Sequence, residues 1–96
     1  MPPTKKAHQV KAIIHIMPKQ DVLDPQGRAI AQSLKEQGFH VLDARCGKRL
    51  ELVCDVDPTL SRQKQEEQCH TMCRAMCSAM LVNELVEHYH IDIDHA

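Results

Sequence analysis

Asp-Pro occurs twice in this chain, at Asp24-Pro25 and at Asp57-Pro58, and each pair comes after a stretch in which apolar residues alternate. An Asp at a helix N-cap accepts orphan backbone N–H groups, and a Pro at the first helical position has no N–H to leave unpaired. Alternation places every second side chain on one face of a strand. A strand followed by a helix start, used twice in 96 residues, restricts the chain to a small mixed α and β architecture. Roughly 100–200 residues per domain is the usual prior, so one core is expected.

The first alternating run is Val10 to Met17, with Val10, Ala12, Ile14 and Ile16 on one face and Lys11, Ile13, His15 and Met17 on the other. Pro18 ends it. After the Asp24-Pro25 signal, Ile30, Ala31 and Leu34 form a helical stripe, and Gly38 is a natural left-handed C-cap with Phe39 behind it, so a helix is predicted over 25–37. Across 40–56, Leu42, Ala44 and Cys46 alternate with Val41, Asp43 and Arg45. After Gly47-Lys48, Leu50, Leu52, Cys54 and Val56 do the same. This reads as two strands joined by a tight turn at Gly47. A second helix is predicted from about 59 to 82 and a last strand over 86–94, with Tyr89, Ile91 and Ile93 inward.

The resulting order, β-α-β-β-α-β, implies an α+β, ferredoxin-like two-layer sandwich: a four-stranded antiparallel sheet with two helices on one face. A flexible tail at 1–8 and a single domain over 9–96 are expected. The expected core is Val10, Ala12, Ile14, Ile16, Ile30, Leu34, Leu42, Ala44, Leu50, Leu52, Cys54, Cys73, Met76, Met80, Tyr89, Ile91 and Ile93.

Composition excludes several functions. Phe39 and Tyr89 are the whole aromatic set, which argues against a sheet or barrel that stacks nucleic-acid bases on rings. Twelve basic residues against thirteen acidic ones give a net charge of -1, without the basic footprint of a nucleic-acid partner. No apolar run approaches the roughly 20 residues of a membrane span. The N-terminus is basic but lacks the apolar stretch of a signal peptide. Five cysteines, an odd number, with Cys69, Cys73 and Cys77 four apart, suit reduced thiols better than a disulfide framework. The reading is a cytoplasmic protein.

Neither a Gly-rich phosphate loop nor an activated nucleophile is recognisable, so no catalytic or cofactor-binding residues are assigned. Cys69, Cys73 and Cys77, beside His70 and the Met72, Met76, Met80 stripe, read as core filling rather than a metal centre, because Cys and Met are common buried fillers. His88, His90 and His95, with Asp92 and Asp94, read as a solvated or interface-facing strand. Asp43 and Glu51 are expected to form cross-strand ion pairs with Arg45 and Arg49. The sheet face without helices carries Ile13, His15, Met17, Val53, His88 and His90 among others. Its mixed character points to a protein–protein surface.

Three stretches carry a resemblance: Val22-Leu23-Asp24-Pro25-Gln26-Gly27, Gly47-Lys48-Arg49-Leu50-Glu51-Leu52, and Leu81-Val82-Asn83-Glu84-Leu85-Val86-Glu87-His88-Tyr89. Over roughly residues 10–94 the chain resembles the PurS family, the small subunits of phosphoribosylformylglycinamidine synthase in purine biosynthesis. The Cys- and Met-rich second helix departs from the family's pattern. The resemblance implies a subunit that is not catalytic alone and that self-associates as a dimer or tetramer. It also implies a bridge between the large ATP-dependent synthetase subunit (PurL) and the glutaminase subunit (PurQ). ATP, magnesium and glutamine would belong to those partners. Gln26, Arg28, Lys48 and Arg49, polar and near loops, join the open-face residues as expected partner contacts. The competing reading is an oligomeric ferredoxin-like module that binds a metal through the cysteine and histidine excess or binds a small ligand, and the small-ligand form would want a glycine-bearing loop after the first strand. Residues 18–24 have none.

Overall fold

The computed structural model describes residues 9–94, in the order β1 (Gln9–Pro18), α1 (Pro25–Glu36), β2 (Lys48–Asp55), α2 (Arg62–Met76), a π-helical turn (Cys77–Leu81) and β3 (Glu87–Asp94). The tail expected at 1–8 and His95 lie outside the described residues. β1 is the central strand, antiparallel to β2 on one side and to β3 on the other. Alternation decides its faces as expected: Val10, Ala12, Ile14 and Ile16 are all buried, with Ala12 and Ile14 fully so. The register sets Ile14 between Leu50 and Ile91.

Among the described residues the sheet therefore has three strands, not four. Residues 40–47 form no ladder among the described residues, although their sequence alternates. Two of their polar groups bond elsewhere. The Cys46 N–H goes to the Asp24 carboxylate, and the Arg45 side chain reaches back to the end of β1. Leu42, expected in the core, is almost completely exposed.

Both helix ends of α1 follow the predicted chemistry. Asp24 accepts from the Gly27 N–H, and Pro25 occupies the first helical position. At the other end Gly38 has φ 94°, with Gly38 N–H donating to Lys35 O and Phe39 N–H to Leu34 O, a Schellman closure. Phe39 nonetheless stays exposed instead of folding over the last turn.

The second Asp-Pro pair does something different. Asp57 accepts from the N–H and the hydroxyl of Thr59, so Asp57-Pro58 makes a local turn. The helix starts five residues after Asp57, capped by Ser61, which accepts from Lys64 N–H at 3.3 Å. The helix predicted to about residue 82 changes to π geometry at Cys77, where Val82 N–H donates to Cys77 O.

Among the described residues only α2 covers the sheet, packing on β1 and β3, while α1 makes no substantial contact with any strand or with α2. Its buried residues are Gly27 and Ala31. Ile30 and Met80, expected in the core, are exposed, and Leu34, Ala44, Leu50, Leu52, Met76, Tyr89 and Ile93 are half-buried. Val56, Cys69, Cys77 and Val82 take buried places beside Cys54 and Cys73. The molecule is elongated, 56 × 28 × 24 Å, with a radius of gyration of 17.4 Å. A compact chain of this length would have about 12–13 Å. The excess is the arm formed by α1 and residues 37–47.

Candidate partner interface

The arm is fastened at its base by two side chains. Asp24 Oδ1 accepts from Gly27 N–H (3.0 Å) and Oδ2 from Cys46 N–H (2.8 Å). These two hydrogen bonds, that from Cys46 the stronger influence, hold the Asp24 carboxyl below the ordinary carboxylate range. Arg45 Nη2 donates to the carbonyls of Pro18 (2.6 Å) and Lys19 (2.7 Å), and Nη1 to that of Gln20 (3.4 Å). Gly27 lets the two segments meet: a Cβ there would lie 2.6 Å from Asp24 Oδ2 and would also collide with Ala44 O. The loop of the DPQG stretch is thus the base of the arm as well as the start of a helix.

Around this base lie shallow grooves. One of about 370 Å³ runs between residues 20–24, Arg28 and residues 43–45. A smaller one, about 170 Å³, brings Gln26 and Lys48 together with Pro18, Cys46 and Glu87. Of the four polar residues expected to meet a partner, Gln26 and Lys48 share one groove, Arg28 lies in the other, and Arg49 stands on the open sheet face. Beyond them the arm exposes Ile30, Phe39 and Leu42, the last at 95%, and the loop before it exposes Leu23. So much apolar side chain left in water on one arm of a small protein marks an interaction surface.

The open sheet face does gather the other predicted residues. The register lines up Arg49, His15 and His90 across the three strands, with Met17 opposite His88 and Val53 opposite Lys11. Its centre is a carboxylate shared by two imidazoles: His15 Nε2 is 3.1 Å from Asp92 Oδ2, and His90 Nε2 is 2.8 Å from Asp92 Oδ1. The His15 and His90 rings stack with centroids 6.2 Å apart. The hydrogen bond from His90 is the main reason the Asp92 carboxyl lies below its usual range. Ile13 and Met17 are half-buried, and Val53 is 51% exposed. Val41, Asp43 and Arg45 are absent from this face because 40–47 is not a strand.

The expected ion pairs are corrected accordingly. Arg49 pairs with Glu51 along one strand at 2.7 Å, and Glu51 also meets Lys11 across strands at 3.6 Å. Arg45 serves main-chain carbonyls instead, a role with no signal in the sequence because carbonyls belong to every residue. Exposed Leu42 also escapes sequence reasoning, since alternation alone marks it as core.

Residues 11–95 match the PurS family model, described as phosphoribosylformylglycinamidine (FGAM) synthase. A PurS subunit of that synthase from Mycobacterium leprae is 46% identical over 46 residues, which is 47% of this chain and 58% of that relative's length. The fold resembles the crystal structure of Methanocaldococcus jannaschii PurS, one of the subunits of formylglycinamide ribonucleotide amidotransferase. The TM-score is 0.75 with 26% identity over 91% of this chain and 98% of that one. It also resembles a chain in the structure of PurLQS from Thermotoga maritima, with TM-score 0.73 and 28% identity over 90% and 98% of the two chains. With nearly all of its described residues inside the family match, the chain belongs to the PurS family.

Proposed function

We propose that this chain is the small, non-catalytic subunit of an FGAM synthase. In that role it joins the ATP-dependent synthetase subunit to the glutaminase subunit, so that ammonia from glutamine is used in purine biosynthesis in the cytoplasm. The observation that carries the reading is the arm. A helix that makes no substantial contact with its own sheet, together with exposed Leu42 and Phe39, gains little for an isolated chain and much for a docked one. The PurLQS structure from Thermotoga maritima, whose name combines PurS with L and Q subunits, supports the same role. The two outer strands, β2 and β3, each offer one edge that no strand of the described chain covers, which suits self-association as a dimer or tetramer. The His15–Asp92–His90 face and the groove of Gln26 and Lys48 would be the other contact surfaces. No helix among the described residues is long and apolar enough to cross a membrane.

Reconstitution tests this. The chain alone is expected to show neither ligase nor glutaminase activity. Added to the two partner subunits, it should restore glutamine-dependent amidine synthesis without changing synthesis from free ammonia. Glutamine-dependent turnover that is equal with and without the chain would overturn the reading.

A further inference from the structure

The residues that α2 and the π-helical turn bury are Gln65, Cys69, Cys73 and Cys77. The strand beneath them, β1, buries Val10, Ala12, Ile14 and Ile16. A helix that had only to fill this space would gain more apolar burial from Leu or Ile, at about 0.8 kcal/mol per buried CH₂. From β2 comes Cys54, 19 residues before Cys73 in sequence, and the two Sγ atoms are 3.9 Å apart. Cys69 completes the group: the three Sγ atoms all lie within 4.8 Å of one another, and all three residues are buried. Among the described residues, no other three His, Cys, Asp or Glu side chains bring donor atoms together in this way.

The spacing suits a metal. A zinc–thiolate bond of about 2.3 Å places sulfurs about 3.8 Å apart around a tetrahedral ion and about 4.0 Å apart around a trigonal one. Cys54 and Cys73 already stand at that separation, and the widest gap closes with less than about 1 Å of movement. Cys69 and Cys73, at i and i+4, project from the same side of α2. A rigid strand supplies the third thiol, so two elements of fixed geometry hold the set.

We propose that Cys54, Cys69 and Cys73 form a buried trithiolate site for a thiophilic divalent cation of the zinc and cadmium class. Binding replaces three S–H bonds by three metal–sulfur bonds and releases three protons to solvent, with no change of oxidation state. The hydrogen bond from the Cys69 thiol to Val10 O, at 4.0 Å, is exchanged for a metal bond. The metal-free thiols are protonated: burial pushes Cys73 up to about 11 and Cys69 further still. Metal therefore competes with three protons, and affinity rises by up to about a thousandfold per pH unit. The site is independent of the subunit role, because it lies between α2 and the sheet and not on the arm or the open face.

Titration of the reduced full-length protein with cadmium(II) at pH 8 tests it, followed by ultraviolet thiolate-to-metal charge-transfer absorption and by metal analysis after desalting. One cadmium per chain is expected, displaced by a thiol-rich chelator. Uptake should persist in Cys46→Ser and Cys77→Ser and vanish in Cys54→Ala and Cys73→Ala. Saturation with cadmium should also raise the Tm of the wild-type protein, more at pH 8 than at pH 6. The proposal is overturned if the folded wild-type protein takes up no cadmium, if uptake survives Cys54→Ala, or if Cys46→Ser abolishes it. Should either alanine variant fail to fold, the wild-type Tm decides, and a Tm unmoved by cadmium at pH 8 overturns the site.

Discussion

The Asp24 carboxylate accepts the backbone N–H of Cys46, 22 residues further along the chain, at 2.8 Å. One side chain therefore starts α1 and anchors the return of the arm. Asp24→Ala is expected to lower Tm and to raise hydrogen exchange at the amides of residues 27 and 46 together. Asp24→Asn, which keeps an accepting oxygen, should fall between the two. Unchanged exchange at Cys46 in the alanine variant would show that the hydrogen bond does not hold the arm.

Gly27→Ala separates helix propensity from packing. Alanine normally stabilises a helix by about 1 kcal/mol relative to glycine. Here a Cβ would run into the main chain at Ala44, and backbone cannot swing aside as a long side chain does. A net loss of about 1–3 kcal/mol is expected from urea unfolding. A gain in stability would mean that the arm sits more loosely than the geometry requires.

Folding and docking are expected to respond to different residues. Ile14 is fully buried at the centre of the sheet, and Ile14→Ala should cost about 2–5 kcal/mol. Leu42 is 95% exposed. Leu42→Asp should leave the unfolding free energy of the isolated chain within about 0.5 kcal/mol, while weakening assembly, measured by sedimentation with and without the partner subunits. Equal assembly in wild type and Leu42→Asp would remove the arm from the interface.

Arg45→Met removes the donors that latch residues 44–46 to the carbonyls of Pro18 and Lys19. Limited proteolysis should then cut within 38–46 faster, with little change in the melting of the sheet. A cleavage rate equal to that of wild type would count against the latch.

Acid stability follows from the carboxylates. Asp24 is lowered mainly by the Cys46 N–H, Glu51 by Arg49, Asp57 by Thr59 and Asp92 by His90. A folded pKa below the unfolded one adds stability that is present above the unfolded pKa and is lost as pH falls through the folded one. With ordinary values of 3.8 for Asp and 4.5 for Glu, these four contributions should hold constant down to about pH 5, decline as pH falls past the ordinary values, and be fully lost only below the lower folded ones. Asp92→Asn and Asp24→Asn should each flatten the acid limb of the urea midpoint measured against pH.

The three strands that form and the ends of α1 were legible because they depend on local chemistry: alternation in 10–17, Asp24 and Pro25 at one end, Gly38 at the other. The same local reading failed at Asp57-Pro58. An Asp followed by Pro and Thr can satisfy its carboxylate within two residues, and nothing local says whether the helix begins there or at Ser61. The interface was legible only in part. His15, His90 and Asp92 were placed on one face by parity, but the meeting of His15 with Asp92 depends on the register between β1 and β3.

By itself, then, the sequence determined the three strands that form, where α1 starts and stops, and which family the chain resembles. Those properties arise from residues within a few positions of one another. The tertiary structure alone decided that 40–47 leaves the sheet, that α1 stands off it, and that Cys54 meets Cys69 and Cys73. Each of these is a choice among partners distant in the chain. Asp24 takes the Cys46 N–H that a fourth strand's ladder would use, the Arg45 side chain ties its segment to the carbonyls of residues 18–20, and alternation in sequence is the same whichever partner wins.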